Sequence, residues 1–175
     1  MSADYNYTGD ILVGAGPSDH SGGSGTALVT ITKKNAPYNI LIMENSRGAS
    51  SEQGQTYFDE GDSQVFSFDE IRITDKVNLL LKGQDINVIA KRLICTGDSV
   101  IHVPDYVNLT VDTTLQETTI PCSLDVARNG ELRLPRKVTF LGPDNNLAGK
   151  KIYLLRSFTC LFVCIWGNYS VIYIT

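Results

Sequence analysis

From residue 26 to about residue 142, the sequence is a succession of short apolar segments, each of which ends at Gly, Asp, Asn or Pro. The segment TALVTIT (26–32) alternates, which places Ala27, Val29 and Ile31 on one face of a strand. Gly, Asp and Asn supply turn geometry and Pro lacks a ladder donor, so these residues end strands. The pattern therefore predicts a mostly β protein with less than about 15% helix. Residues 87–95 lack the apolar stripe of a helix and are also predicted as strand.

The spacing of these segments narrows the architecture. Their centres lie about six to eight residues apart, and hairpin signals are rare apart from Asn129-Gly130. Short strands at near-even steps with few hairpin turns favour an all-β fold of the single-stranded parallel β-helix or solenoid type, with a β-sandwich as the main alternative. Period-two spacing predicts one continuous core. The residues predicted to line it are Val77, Leu79, Leu81, Ile86, Val88, Val107, Leu109 and Val111.

Composition divides the chain into three parts. Residues 1–25 form a glycine-rich N-terminal segment, residues 26–150 a β-solenoid-like domain, and residues 151–175 an apolar tail. Within the tail, residues 157–175 carry no charge, and three interpretations stay open: a terminal hairpin turning at Gly167-Asn168, a membrane span, or sequence foreign to the fold. Any membrane contact would come through this stretch. We also expect residues 157–175 to be dispensable for the fold of residues 26–142.

Charge and the N-terminus bound the partners and the compartment. The chain has 175 residues with a formal net charge of -4, and its Lys and Arg residues are scattered. A nucleic-acid partner would normally leave a basic footprint, so none is expected. The start MSADYNYTGDILVGAG contains no signal peptide, which indicates either an intracellular protein or a piece of a longer one.

Four cysteines and two histidines limit the metal and redox chemistry. The cysteines form no CxxC pair, and the histidines lie far apart in the sequence, so no zinc site is expected. We expect buried free thiols. The alternative is a Cys95–Cys122 disulfide, which would require an oxidising compartment. The other two cysteines, Cys160 and Cys164, lie in the tail.

Two further sequence patterns resemble ligand sites. Gly14-Ala15-Gly16 resembles a dinucleotide fingerprint, but Asp19 stands at the third glycine and no helix can follow, so neither NAD nor FAD binding is expected. The acidic residues at 59, 60 and 62 are interpreted as a solvated turn, with calcium as the alternative.

Candidate catalytic residues are lacking. Ser–His–Asp chemistry would have to use His20 or His102, and alternation predicts that His102 points opposite Ile101 and Val103, towards the surface. No GxSxG elbow exists. We therefore expect no catalytic, cofactor-binding or metal-binding residues and no enzymatic activity.

Three glycosylation sequons are present and supply the candidate modification sites. The acceptor residues are Asn6, Asn108 and Asn168.

The order of features in residues 20–112 resembles glycine-rich β-helical segments of very large extracellular animal proteins. HSGGSGTALVTI is followed by NILIMENSRG, FDEIRI, VNLLLKG and TGDSVIHVPDYVNLTV. The resemblance implies a structural or adhesive role in the extracellular space or at the cell surface, within a larger protein, and it carries over no catalytic residue. Partners would be glycans or other extracellular proteins. The alternative function is a glycan-binding or glycan-cleaving β-helix of carbohydrate-active or phage-tail type.

Overall fold

The computed structural model describes residues 25–33, 36–45, 55–59, 63–111, 117–135, 137–147, 151–154 and 170–172. Regular structure in these ranges is entirely β, without a helix, as the alternating segments predict. It follows that the described part of the chain holds no helix long and apolar enough to cross a membrane. The strands are β1 (Gly25–Lys33), β2 (Ala36–Glu44), β3 (Gln55–Asp59), β4 (Val65–Phe68), β5 (Glu70–Thr74), β6 (Asn78–Lys82), β7 (Ile86–Ala90), β8 (Leu93–Cys95), β9 (Val100–Val103), β10 (Val107–Val111), β11 (Glu117–Ile120), β12 (Ser123–Val126), β13 (Glu131–Leu134), β14 (Lys137–Phe140), β15 (Lys151–Leu154) and β16 (Ser170–Ile172).

Three consecutive strands make one coil, and the coils stack in parallel as a β-solenoid. Coil 1 is β2, β3 and β4, coil 2 is β5, β6 and β7, coil 3 is β8, β9 and β10, coil 4 is β11, β12 and β13, and coil 5 contains β14 and β15. The first strands of the coils form face 1, which is divided into two sheets, β1-β2-β5-β8 and β11-β14-β16. The second strands form face 2, and the third strands form face 3. The predicted parallel β-solenoid is therefore confirmed, and the β-sandwich alternative is wrong.

The register shows the length of one coil and the alignment of its side chains. His102 of β9 pairs with Asp125 of β12, 23 residues later. Beside this pair, Ile101 lies between Leu79 of β6 and Leu124 of β12. Because equivalent positions face the same way in every coil, each inward residue lies on an inward residue of the next coil. Such a stack buries one continuous core that no single coil could build alone.

The core lies inside the three faces and contains the eight residues that alternation assigned to it. Each of the eight is buried and belongs to one apolar cluster, so this prediction is confirmed. A void of about 10 Å³ between Leu41, Phe58 and Leu109 is bounded only by apolar side chains. A space of that size holds at most one water, and its lining offers that water no polar partner, so this part of the core is closely packed and dry.

Asn129-Gly130 forms a corner between consecutive strands of coil 4. A Cβ added to Gly130 would lie 2.7 Å from the carbonyl oxygen of Val103 and 2.8 Å from that of Pro104, both in coil 3. Glycine is required here because only its backbone can approach the preceding corner so closely. The hairpin signal in the sequence therefore marks a solenoid corner instead.

The two outermost strands run against the parallel sheets. β1 pairs antiparallel with β2, and β16 pairs antiparallel with β14. β15, whose residues fall in the segment assigned to the apolar tail, pairs in parallel with β13 and continues face 3. Residues 155–169 and 173–175, including the expected hairpin turn at Gly167-Asn168, lie outside the described residues.

Candidate functional site

A row of five in-register residues crosses the outer surface of face 2. Its members are Tyr57, Leu80, His102, Asp125 and Asn146, one from each coil, and we call it the His–Asp row. Neighbouring strands of a sheet are about 4.8 Å apart, so each side chain can contact the next. The row changes along its length from an aromatic and an aliphatic residue at one end to three hydrogen-bonding residues at the other.

Asp125 is the centre of the polar end of the His–Asp row. Its Oδ2 lies 3.0 Å from Nδ1 of His102, and its Oδ1 accepts a hydrogen bond of 2.7 Å from the Asn146 amide. A carboxylate at Nδ1 favours the tautomer that carries its proton there, which leaves Nε2 as an acceptor. The side chains of His102 and Asp125 are 25% and 41% exposed, so a ligand can reach both.

The position of His102 agrees with the sequence prediction. Its side chain is half-buried on the outer surface, while Ile101 and Val103 point into the core. His20, the other histidine, lies outside the described residues. Oriented by Asp125, the imidazole of His102 can accept a hydrogen bond from a bound molecule.

Face 1 carries the most deeply buried charge among the described residues. Glu70 is 3% exposed, accepts hydrogen bonds from the guanidinium of Arg72, and is 3.7 Å from Arg92. These partners offset the cost of removing the carboxylate from water. Glu70 and its two arginines therefore join coil 2 to coil 3 and are interpreted as structural.

Next to this cluster, Asp69 connects three coils. It accepts a hydrogen bond of 2.6 Å from Lys91 in the corner that leads to coil 3, and one of 2.8 Å from the backbone N–H of Asn39 in coil 1. The bond from Lys91, and then the bond from Asn39, lower the pKa of Asp69 below its ordinary value. The carboxylate thus stays ionised and stabilises the stack.

Of the three sequons, only Asn108 lies within the described residues. It sits in β10 on the outer surface of face 3, between Asn87 of coil 2 and Glu131 of coil 4. Its sequon partner Thr110 is buried, and the Thr110 hydroxyl donates a hydrogen bond of 3.4 Å to Asn87. A glycan on Asn108 would project from the middle of face 3. Asn6 and Asn168 lie outside the described residues.

A disulfide joins Cys95, at the end of β8, to Cys122, in the corner before β12. Their Cα atoms are 5.5 Å apart, and both residues are buried. The bond links coil 3 to coil 4 across 27 residues of sequence. Our expectation of free thiols is wrong for this pair, because stacking places the end of β8 in coil 3 next to the corner between β11 and β12 in coil 4.

The remaining sequence candidates are not assembled into a site by the described residues. Within those residues, no group of three or more His, Cys, Asp or Glu side chains could hold a metal ion. The acidic side chains at 59, 60 and 62 and the glycine pattern at 14–16 fall outside the parts of the chain whose side chains are described. The expectations for those segments therefore stay predictions.

Sequence reasoning missed Asp125 and Glu70. Both are ordinary acidic residues in short strands, and each becomes significant only through a partner in a neighbouring coil. The available signal was the outward position of His102, but its partner Asp125 can be identified only once the length of a coil is known. Comparisons with protein-family models, with curated proteins and with solved structures found no match, so the interpretation of these sites depends on their geometry alone.

Proposed function

We propose that this chain is a non-enzymatic structural or adhesive module of a larger extracellular or cell-surface protein. The observation that carries the proposal is the disulfide between Cys95 and Cys122. Disulfides form and persist in oxidising compartments and are rare in the cytosol, where thiols are kept reduced. A buried bond that joins two coils is suited to a module that works outside the cell without chaperones.

The shape of the molecule fits a structural role. The continuous apolar core holds the coils together, and each coil adds about 4.8 Å to the length of the stack. The polar side chains lie outside in rows, such as Asn87, Asn108 and Glu131 on face 3. Rows of this kind present a regular, rigid surface on which weak contacts with an extended partner can add up.

The resemblance to glycine-rich β-helical segments supports the same role. Its segments TALVTI and EIRI fall on β1 and β5, two strands of face 1. We infer that the chain is one portion of a longer β-helical protein that lies in the extracellular space or at the cell surface.

The proposal is tested by producing the full chain in the secretory pathway and in a reducing cytosol. Peptide mapping without reductant should recover Cys95 linked to Cys122 in secreted protein, and the secreted protein should bind cell surfaces or immobilised matrix proteins. The chain with both Cys95→Ala and Cys122→Ala should be secreted poorly, whereas the matched pair Cys160→Ala and Cys164→Ala should be secreted normally. The proposal is wrong if the secreted protein carries both thiols free, or if only the cytosolic product folds.

A second candidate function, glycan binding, is favoured by the His–Asp row. Sugar hydroxyls are recognised by planar polar groups that donate and accept together, and Asp125, His102 and Asn146 provide such groups within one row. Tyr57, at the other end, is an exposed aromatic residue, and the ammonium of Lys82 lies 5.8 Å from the centre of its ring. Exposed aromatic rings pack on sugar faces.

This candidate is tested by screening the chain against an oligosaccharide array and comparing Asp125→Ala with Glu131→Ala. Glu131 is a matched control, because it is also an outward, half-buried carboxylate, but it lies on face 3. Binding that is lost only with Asp125→Ala would support the row. Glycan binding through the His–Asp row is excluded if no glycan on the array binds the chain, or if Asp125→Ala and Glu131→Ala weaken binding equally.

A further inference from the structure

β1 forms the first edge of face 1. On one side it pairs with β2 along its whole length, from Gly25 opposite Glu44 to Lys33 opposite Ala36. On its other side, no strand of the described residues pairs with it. Within the described residues, the second edge of this nine-residue strand therefore presents a row of unpaired backbone N–H and C=O groups.

This edge lacks the features by which proteins normally prevent strand pairing. Such features are charged side chains, proline, bulges or very short edge strands. The segment TALVTIT (26–32) has no charge and no proline, and its register with β2 runs without a bulge. By contrast, β4, which forms the first edge of face 3, has only four residues.

Two large apolar side chains of β1 are exposed to solvent. Leu28 lies opposite the buried Leu41 of β2, yet it is 64% exposed, because β1 lies beyond the first complete coil. Ile31, on the opposite face of β1, is 39% exposed. An uncharged edge strand with exposed apolar residues on both faces is a template for pairing with another strand.

We propose that two copies of this chain associate about a two-fold axis by antiparallel pairing of β1 with β1 of the partner. A two-fold axis requires the two strands to run antiparallel and to be complementary to themselves. β1 is complementary to itself when Leu28 lies opposite the partner's Leu28. Thr26 then faces the partner's Thr30, and Ala27 faces the partner's Val29. Cross-strand pairs of threonines and of aliphatic residues stabilise sheets.

The distribution of charge points to a second copy as the occupant. In this register, residues 25–31 of the two strands are paired, and Lys33, the single charged residue of β1, falls beyond the paired segment. No like charges are therefore opposed. The shared sheet has the order β2, β1, partner β1 and partner β2, and it is antiparallel at its three junctions, whereas the solenoids extend outwards from it. The proposal does not depend on the proposed function.

The interface is small, so we expect dissociation in the micromolar range or weaker. Sedimentation equilibrium of the full chain over a wide concentration range should fit a monomer–dimer equilibrium. Leu28→Lys places a charge in the middle of the edge and should weaken dimerisation by at least tenfold. Val65→Lys is the matched control, because Val65 is 68% exposed in the first strand of face 3 and should leave the equilibrium unchanged.

Two further measurements keep the test independent of folding defects. The melting temperature of each variant shows whether it folds, and Thr30→Lys provides a second charge on the same edge. In addition, Leu28→Cys should give a dimer cross-linked through the two introduced thiols, identified by peptide mapping, whereas Val65→Cys should not. The proposal is overturned by a wild-type chain that stays monomeric at every concentration, by oligomers that grow beyond two copies, or by a dimer that Leu28→Lys leaves intact.

Discussion

Reduction of the Cys95–Cys122 disulfide should lower the free energy of unfolding by about 3.5 kcal/mol. The bond closes a loop with 27 residues of sequence separation, and the chain-entropy relation for a loop of that length gives this value at 25 °C. The effect arises mainly in the unfolded chain, which gains conformational freedom when the link is opened. Both cysteines are buried, so the folded state should keep its packing when the thiols are reduced in place.

The measurement is a guanidinium titration of the chain with and without reductant. The reduced sample is first unfolded in reductant and then refolded, because the folded protein shields the bond from small thiols. We expect a lower midpoint and a somewhat larger m-value in reductant, since the reduced unfolded chain exposes more surface.

The control for this experiment is the chain carrying Cys95→Ala and Cys122→Ala, whose unfolding should not respond to reductant. A wild-type curve that reductant does not move would refute the reasoning, because the bond would then place no constraint on the unfolded chain. A response retained in the double variant would assign the effect to other cysteines.

Three further predictions concern the core, a corner and an ion pair. Leu109→Ala should lower the free energy of unfolding by about 2–5 kcal/mol in a denaturant titration, because it opens a cavity between stacked coils; an unchanged midpoint would contradict the core assignment. Gly130→Ala should lower the free energy of unfolding by about 1–3 kcal/mol. Gly97→Ala is the control and should be tolerated, because its Cβ would lie 3.6 Å from the nearest atom. Equal effects of the two changes would show that Gly130 is not required for close approach of the corners. Asp69 has a lowered pKa, so its contribution to stability should be present above the unfolded-state pKa of about 3.9 and should disappear as the pH falls through the lower folded-state pKa. Replacing Asp69 by Asn should flatten this acid limb of melting temperature against pH, and an unaltered limb would show that the bond to Lys91 is not responsible.

The direction in which each strand faces was predictable from local sequence. Leu79 and Leu81 alternate with polar or half-buried neighbours, and a strand turns every second residue to the same side. The outward position of His102 followed from the same rule. These predictions succeeded because they require only the residues of a single strand.

The partners across coils were not predictable from the sequence. His102 contacts Asp125, 23 residues later, whereas the disulfide spans 27 residues, and no repeated side-chain pattern marks either step. The antiparallel direction of β1 was also hidden, because TALVTIT alternates in the same way whichever way the strand runs. The proposed interface therefore became visible only when the edge of the sheet was known.

The corner between β2 and β3 has a consequence for how such a chain can lengthen. Met43 of β2 pairs with Ile73, 30 residues later in the sequence. Phe58 of β3 pairs with Leu81, which is only 23 residues later. The difference means that extra residues enter coil 1 between β2 and β3 while the pairing on both sides stays intact. Insertions between strands, from a short peptide to a whole domain, are therefore tolerated in this solenoid. A single residue added within a strand would instead turn the core side chains of that strand to the solvent.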